Sequence, residues 1–340
     1  MARLPGQKPP ALGQGREVCR NFHHALNARG ASVVRMTTIA SLDRFQAQPI
    51  WEMSAHQTMN HTEPERMECM EVWGGNQAVD RSFQTAGLKI WVHSRPYSQA
   101  SGGGDVYYLS SCASGRITRM LLADVSGHGA LVTRIAIRLR DLMRSNVNYV
   151  KQTRFVRAMN QQFVDFGQQG VFATALVGTF FGPTRSFSLC NAGHPAPLVF
   201  RHSTSEWTEL AAEDINPEAI TDMPLGITGE TTYCQLRVRL EVGDMVLGFS
   251  DALTESQDSD GRQLGREGVR RLVRELKVAD PKELIPALIE RIMGLADDNL
   301  KQDDSTILLC QATGGSPSLR DNLLALFRLF GRVADRTELG

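Results

Sequence analysis

From residue 88 onward the apolar positions recur with periods that name elements, whereas residues 1–85, rich in Met, Gln, Asn, His and Arg, carry little periodicity. That first stretch reads as a lead-in extension of unassigned role. LKIWVHS (88–94) is a β-rich run, and VYYLSSC (106–112) and ITRMLLADV (117–125) form a hairpin through the short turn Ala113-Ser114-Gly115. Leu131, Ile135, Leu139, Leu142 and Met143 then fall at helical spacing, and a second helix is predicted over 155–166. Three strand-like runs follow, FATALVGTFF (172–181), SFSLCNA (186–192) and APLVF (196–200), cut by Gly182-Pro183-Thr184-Arg185 and by Gly193-His194-Pro195.

CQLRVRLEV (234–242) alternates as a half-exposed strand should, and MVLGFS (245–250) is apolar enough to be central. Val269, Leu272, Val273 and Leu276 mark a helix. Asp280, Pro281 and Glu283 supply the N-cap, first-turn proline and acid that open the next one, with Pro286 as a candidate bend. STILLCQ (305–311) closes the domain as a strand, and beyond GGSPS an amphipathic helix is predicted to carry Leu319, Leu323, Phe327 and Phe330. Strands joined by short turns, with helices arriving in pairs, point to an α+β layered sandwich rather than a strictly alternating doubly wound fold. The expected organisation is an extension over 1–85, a catalytic-size domain over 86–312 and a C-terminal amphipathic helix over 313–340.

Composition removes several alternatives. The chain has 340 residues, and Lys plus Arg balance Asp plus Glu at 37 each, so no global field favours nucleic acid or an anionic membrane. The six cysteines are scattered without a CxxC pair, which suits a reducing cytoplasm. The opening MARLPGQKPPALGQGR lacks the apolar core of a signal peptide, and no apolar run approaches the roughly 20 residues of a membrane span. Cys112 and Cys190, inside strands, read as small buried apolar residues. His56, His61 and Cys69 have irregular spacing and read as a solvated polar segment rather than a zinc site. SQDSDGRQLGRE (256–267) has acids at calcium-loop offsets but no entering helix of normal length, and reads as a turn at Asp260-Gly261.

The chemistry lies in acids placed beside strands: Asp105 before VYYLSS, Asp124 near the end of ITRMLLADV, Asp251 after MVLGFS, and Asp303-Asp304 before STILLC. One such acid is ordinarily a turn former. Four gathered at one end of a sheet would repel one another unless a cation neutralised them, and an all-oxygen ligand set selects Mg2+ or Mn2+. Two such ions acidify water for attack on phosphorus.

The motifs SGGGD (101–105), DVSGHG (124–129), NAGHPAP (191–197), MPLGI (223–227), FSDALTES (249–256) and DDST (303–306) resemble, in order and spacing, those of bacterial PP2C-type metal-dependent serine/threonine phosphatases. The branch resembled is that of sporulation and stress-response regulators. The resemblance implies an αββα sandwich of two antiparallel sheets flanked by helix pairs. It also implies two divalent ions, Mn2+ or Mg2+, on Asp105, Asp124, the carbonyl of Val125, Asp251 and Asp303, with Asp304 supporting them. The implied substrate is a phosphorylated regulatory protein, often an anti-sigma antagonist; no nucleic acid or membrane partner is expected, and a homodimer stays open.

The chain departs from the family pattern at two places. Val106, Tyr107 and Tyr108 follow Asp105 where relatives place two aromatics and another acid, and Ala252 follows Asp251 where relatives place glycine. Arg95 is a candidate phosphate contact; His128 is either a candidate proton donor or a turn-bonding residue. His194 reads as structural, with Asn191 capping its turn. Two rival functions stay open: a pseudophosphatase binding module, and a phosphatase of small phosphorylated metabolites.

Overall fold

The computed structural model describes residues 64–67, 71–112, 115–127, 130–146, 149, 151–166, 170–210, 221–315 and 334–338. In chain order the strands are β1 (Glu65–Arg66), β2 (Glu71–Gly75), β3 (Val79–Thr85), β4 (Leu88–Arg95), β5 (Asp105–Cys112), β6 (Ile117–Val125) and β7 (Ala173–Phe181). They continue with β8 (Ser186–Ala192), β9 (Leu198–Arg201), β10 (Glu206–Glu209), β11 (Leu236–Arg239), β12 (Met245–Phe249), β13 (Ser305–Ala312) and β14 (Ala334–Glu338). The helices are α1 (Ala130–Ser145), α2 (Gln152–Phe166), α3 (Asp251–Glu255), α4 (Gly265–Glu275) and α5 (Leu284–Met293).

One seven-stranded sheet runs β1-β3-β4-β13-β12-β9-β10 and the other β11-β8-β7-β6-β5-β2-β14. Period-two alternation sorts the side chains of each strand between two layers. Phe83, Ile90, Leu122, Phe180, Val246 and Leu308 meet between the sheets. Tyr108, Leu121 and Val177 turn the other way, onto Ile135, Phe155 and Phe163 of α1 and α2. On the opposite outer face Trp91, Leu247 and Ile307 pack against Val269, Leu272 and Leu288 of α4 and α5. Each such fully buried side chain contributes roughly 1.5–3 kcal/mol of burial free energy. The result is the expected four-layer α+β sandwich, and no helix among the described residues is long and apolar enough to cross a membrane.

The structure corrects the sequence reading at several points. The sheets are not wholly antiparallel: β1 pairs with β3, and β14 with β2, in parallel. Both are edge strands that arrive from outside the hairpin succession, so no tight turn fixes their direction. β2 and β3 lie inside the stretch expected to be a lead-in, because their apolar positions are few and their stabilisation comes from pairing with β5 and β4. Residues 334–338, expected within a terminal helix, form β14, while the helix positions at 319–330 lie outside the described residues, as do residues 1–63. Close approach of β14 requires glycine: a Cβ on Gly75 would lie 1.6 Å from the Glu338 carbonyl oxygen. Pro286 does not bend α5; it sits in the first turn, where no backbone donor is lost. The Asp280 carboxylate accepts the Lys282 N–H, capping the single 3-10 turn of residues 281–283 that leads into α5.

Candidate active site

The hairpin of β5 and β6 places Asp105 directly opposite Asp124. Both acids keep the strand parity of Tyr107, Leu109, Met120 and Leu122, so they belong to the inter-sheet face at its open end. Asp105 is 3% exposed, and its Oδ2 is buried without a hydrogen-bond partner. Burial, followed by the charge of Asp124, holds its carboxyl well above the usual range, opposed by a hydrogen bond from Ser250. Burial, then the charges of Asp251 and Asp303, push Asp124 up to about 7. Asp303 is also raised, by desolvation and by Asp251 and Asp304. The charges of Asp124 and Asp251 thus bear on Asp105, and those of Asp251 and Asp303 on Asp124, although these acids are far apart along the chain.

The loop before β5 wraps around Asp304. Its carboxylate accepts the backbone N–H of Tyr97 at 2.6 Å and of Gly104 at 2.5 Å. Asn76 holds the same loop from the other side, donating through Nδ2 to the Gly103 carbonyl at 3.0 Å and accepting the Gly103 N–H at its own carbonyl. A Cβ on Gly104 would lie 3.1 Å from the Val125 carbonyl oxygen, 3.2 Å from Asp304 Oδ2 and 3.6 Å from Asp124 Oδ1. Two candidate donors, the Val125 carbonyl and Asp124, together with the loop-holding Asp304, therefore crowd around Gly104, where a side chain would push against them.

An all-oxygen donor set with an orphaned buried carboxylate oxygen fits a hard divalent cation. Among the described residues, no three His, Cys, Asp or Glu side chains are gathered closely enough to hold a metal ion by themselves. Mg2+ does not require such a cluster, since it retains several waters and is held through one or two carboxylates. Asp105, Asp124, Asp251, Asp303 and the Val125 carbonyl are the groups that could hold such ions here.

Other sequence expectations resolve in detail. Ala252 lies within α3 and is absent from the residues of positive φ, so its helical backbone needs no glycine. The hydroxyl of Tyr108 donates to the Ala136 carbonyl at 2.6 Å, tying β5 to α1 on the face away from the acids. Arg95 is exposed at the end of β4, in register with Ser305. His128 lies outside the described residues, as do His56, His61 and Cys69. Asn191 does cap its turn, exchanging hydrogen bonds of 2.8 Å with both the N–H and the carbonyl of His194. Asp258 Oδ1 accepts the N–H groups of Asp260 and Arg262, closing a turn in which Gly261 has φ +76°. Cys190 is buried, as expected.

Sequence reasoning missed Ser250, Asn76 and Glu255. Ser250 bonds Asp105, and the charge of Glu255 bears on Asp124. Glu255 stands four residues after Asp251 on the short helix α3, a spacing that puts both on one side. Ser250 and Asn76 carried no local signal because their partners are distant in sequence. A depression of about 570 Å³ lined by Pro183, Thr184, Ser186, Arg237 and Arg239 is separate from these acids. It lies at the far end of β7, roughly 27 Å along the strand from Ala173, the residue paired with Val125.

Comparison with known proteins identifies the fold and the family. The family described as Stage II sporulation protein E (SpoIIE) matches residues 114–313. The chain is 23% identical over 261 residues to the phosphoserine phosphatase RsbU of Bacillus subtilis (strain 168), a match spanning 75% of this chain and 73% of that protein. The solved RsbU and RsbW domains of Rv1364c from Mycobacterium tuberculosis superpose with TM-score 0.55 at 23% identity, over 68% of this chain and 63% of that one. The PP2C phosphatase domain and regulatory fragment of SpoIIE from Bacillus subtilis superpose with TM-score 0.55 at 16% identity, over 69% of this chain and 66% of that one. This chain thus spans just under two thirds of each of those two solved chains. The structural likeness establishes the fold, and the family match over more than half of the sequence establishes membership: this chain belongs to the SpoIIE family, with the PP2C-type phosphatase fold.

Proposed function

We propose that the chain is a metal-dependent protein phosphatase that hydrolyses phosphoserine or phosphothreonine on a regulatory protein. The observation that carries this reading is Asp105 facing Asp124 with a buried, unpartnered carboxylate oxygen. Such an arrangement is costly in a chain that never binds a cation and useful in one that does.

Two Mn2+ or Mg2+ ions held there would offset phosphoryl charge and supply a water-derived nucleophile at neutral pH. The positions of the protein groups support the following roles. Asp124 and the Val125 carbonyl would contribute oxygens from the end of β6, Asp105 from the adjoining strand, Asp251 from just beyond β12 and Asp303 from just before β13. Asp304 and Asn76 keep the loop of Gly103 and Gly104 against them. Arg95, exposed on the neighbouring strand end, is the proposed phosphate contact. With no covalent enzyme intermediate, the products are inorganic phosphate and the free hydroxyl of the substrate.

The proposed substrate is a phosphorylated regulator of the anti-sigma-antagonist type, by analogy with the branch this chain resembles, and the proposed setting is the cytoplasm. The two departures that favoured a pseudophosphatase lose their force, because Ala252 is ordinary helix and Tyr108 is a packing residue. Hydrolysis of a generic phosphate ester and of a phosphopeptide panel, with Mn2+, Mg2+ or EDTA, tests the reading. Metal-dependent turnover lost in Asp124→Asn and Asp251→Asn is expected. A folded wild-type chain inert with every metal would overturn it.

A further inference from the structure

The side chain of His194 spans the two sheets. It leaves the turn that carries the chain from β8 in one sheet to β9 in the other, and it is 5% exposed. Its Nε2 stands 3.1 Å from the carbonyl oxygen of Phe249, which can only accept, so Nε2 bears the proton. Its Nδ1, 2.8 Å from Thr174 Oγ1, is then the acceptor for the threonine hydroxyl. One neutral imidazole therefore satisfies both contacts at once.

The two partners are not arbitrary positions. Thr174 is the β7 residue in register with Asp124, so its side chain rises from the same face of the sheet beside that acid. Phe249 is the last residue of β12, two positions before Asp251. The turn that presents the imidazole is itself fixed. Asn191 clamps it at both ends, and Gly193 adopts φ +71° where a Cβ would meet Pro224 Cγ at 2.7 Å.

We propose that His194 is a positioning residue that sets the spacing between Asp124 on one sheet and Asp251 on the other through Thr174 and Phe249. This inference rests on the phosphatase reading only for its consequence, since the bridging contacts stand without it. Residues that orient ligands through hydrogen bonds commonly change metal affinity about 10–100-fold when removed. A buried aliphatic residue here would pack but could neither donate to Phe249 nor accept from Thr174.

The test uses the full chain as wild type, His194→Ala, His194→Gln and Thr174→Val, with two readouts. Amide hydrogen exchange of the metal-free proteins should speed up at residues 249–255 in His194→Ala and stay slow in the distant strands β3 and β4. Titration calorimetry with Mn2+ should show affinity weakened about 10–100-fold in His194→Ala, less in Thr174→Val, and partly restored in His194→Gln, whose amide can still donate to the carbonyl. Excess Mn2+ should recover more of kcat in Thr174→Val than in His194→Ala. Should His194→Ala fail to fold, exchange and Mn2+ affinity in Thr174→Val decide. Exchange at 249–255 unchanged in the folded variants would overturn the proposal. So would unchanged Mn2+ affinity where the wild type binds the ion. A wild-type chain that binds no Mn2+ while the local exchange effect persists would sink the phosphatase reading and leave the tie between the sheets standing.

Discussion

Asp105 and Asp124 stand directly opposite each other across β5 and β6, and one oxygen of Asp105 is buried without a partner. Like charges in facing strand positions destabilise a sheet, and burial increases the effect. The fold accepts this at the one end where loops from both sheets converge.

Removing one of the two charges should therefore stabilise the metal-free protein while abolishing activity. Asp105→Asn is expected to raise the melting midpoint of the metal-free chain by roughly 2–4 °C, corresponding to about 1 kcal/mol for a protein of this size. The same variant should show no turnover and a reduced response to Mn2+. Scanning calorimetry with and without EDTA checks this, and a destabilised variant that still turns over would contradict it.

The direction of the carboxylate shifts gives a pH dependence. Asp124 is pushed up to about 7 by burial and by Asp251 and Asp303, against an ordinary value of about 3.9. Its contribution to the stability of the metal-free fold is thus complete below about pH 4 and lost as the pH rises through about 7. His194 acts with the opposite sign: burial lowers it to about 3, so its contribution is present above about pH 6.5 and lost as the pH falls. Because the two oppose each other between these limits, overall stability does not separate them. The increment from saturating Mn2+ does, since protons compete with the ion at the carboxylates. That increment should grow from pH 5 to about 7 and then level; a flat profile would contradict the assignment.

Asp304 holds a loop rather than completing a pair of facing acids. Its carboxylate accepts the N–H groups of Tyr97 and Gly104, so Asp304→Ala frees the backbone around Gly103 and Gly104. We expect a folded protein whose turnover falls about 10–100-fold, mainly through weaker metal binding. Activity measured across a Mn2+ series would show the dependence moved to higher concentration. Full activity at wild-type Mn2+ levels would exclude this role.

The C-terminal strand should be separable from the sandwich by one methyl group. In Gly75→Ala the added carbon would overlap the Glu338 carbonyl, so β14 cannot keep its parallel register on β2. Limited proteolysis should then cleave near residues 334–338 faster, with the melting transition of the remaining domain changed by about 1 kcal/mol or less. Unchanged cleavage would show that the pairing tolerates the residue.

The sequence by itself determined most elements and which acids flank the strands. The apolar run in ITRMLLADV and the helical spacing from Leu131 are local patterns, and local patterns respond to water and to backbone propensity without knowing the rest of the fold. The apolar runs ending or beginning at Asp105, Asp124, Asp251 and Asp303 showed which acids belonged at strand ends. Tertiary structure alone decided which acids face each other, because register depends on pairing between strands. It also recruited Ser250 to Asp105, turned Tyr108 away from the site onto Ala136, and drew β2 and β14, whose own patterns are weak, into a sheet, with β14 at its edge. The same holds for His194. Its turn was legible from Asn191 and Gly193, but its bond to Phe249 bridges 55 residues and two sheets. A contact of that kind is fixed only when the whole sandwich closes and brings Phe249 within reach of the buried imidazole.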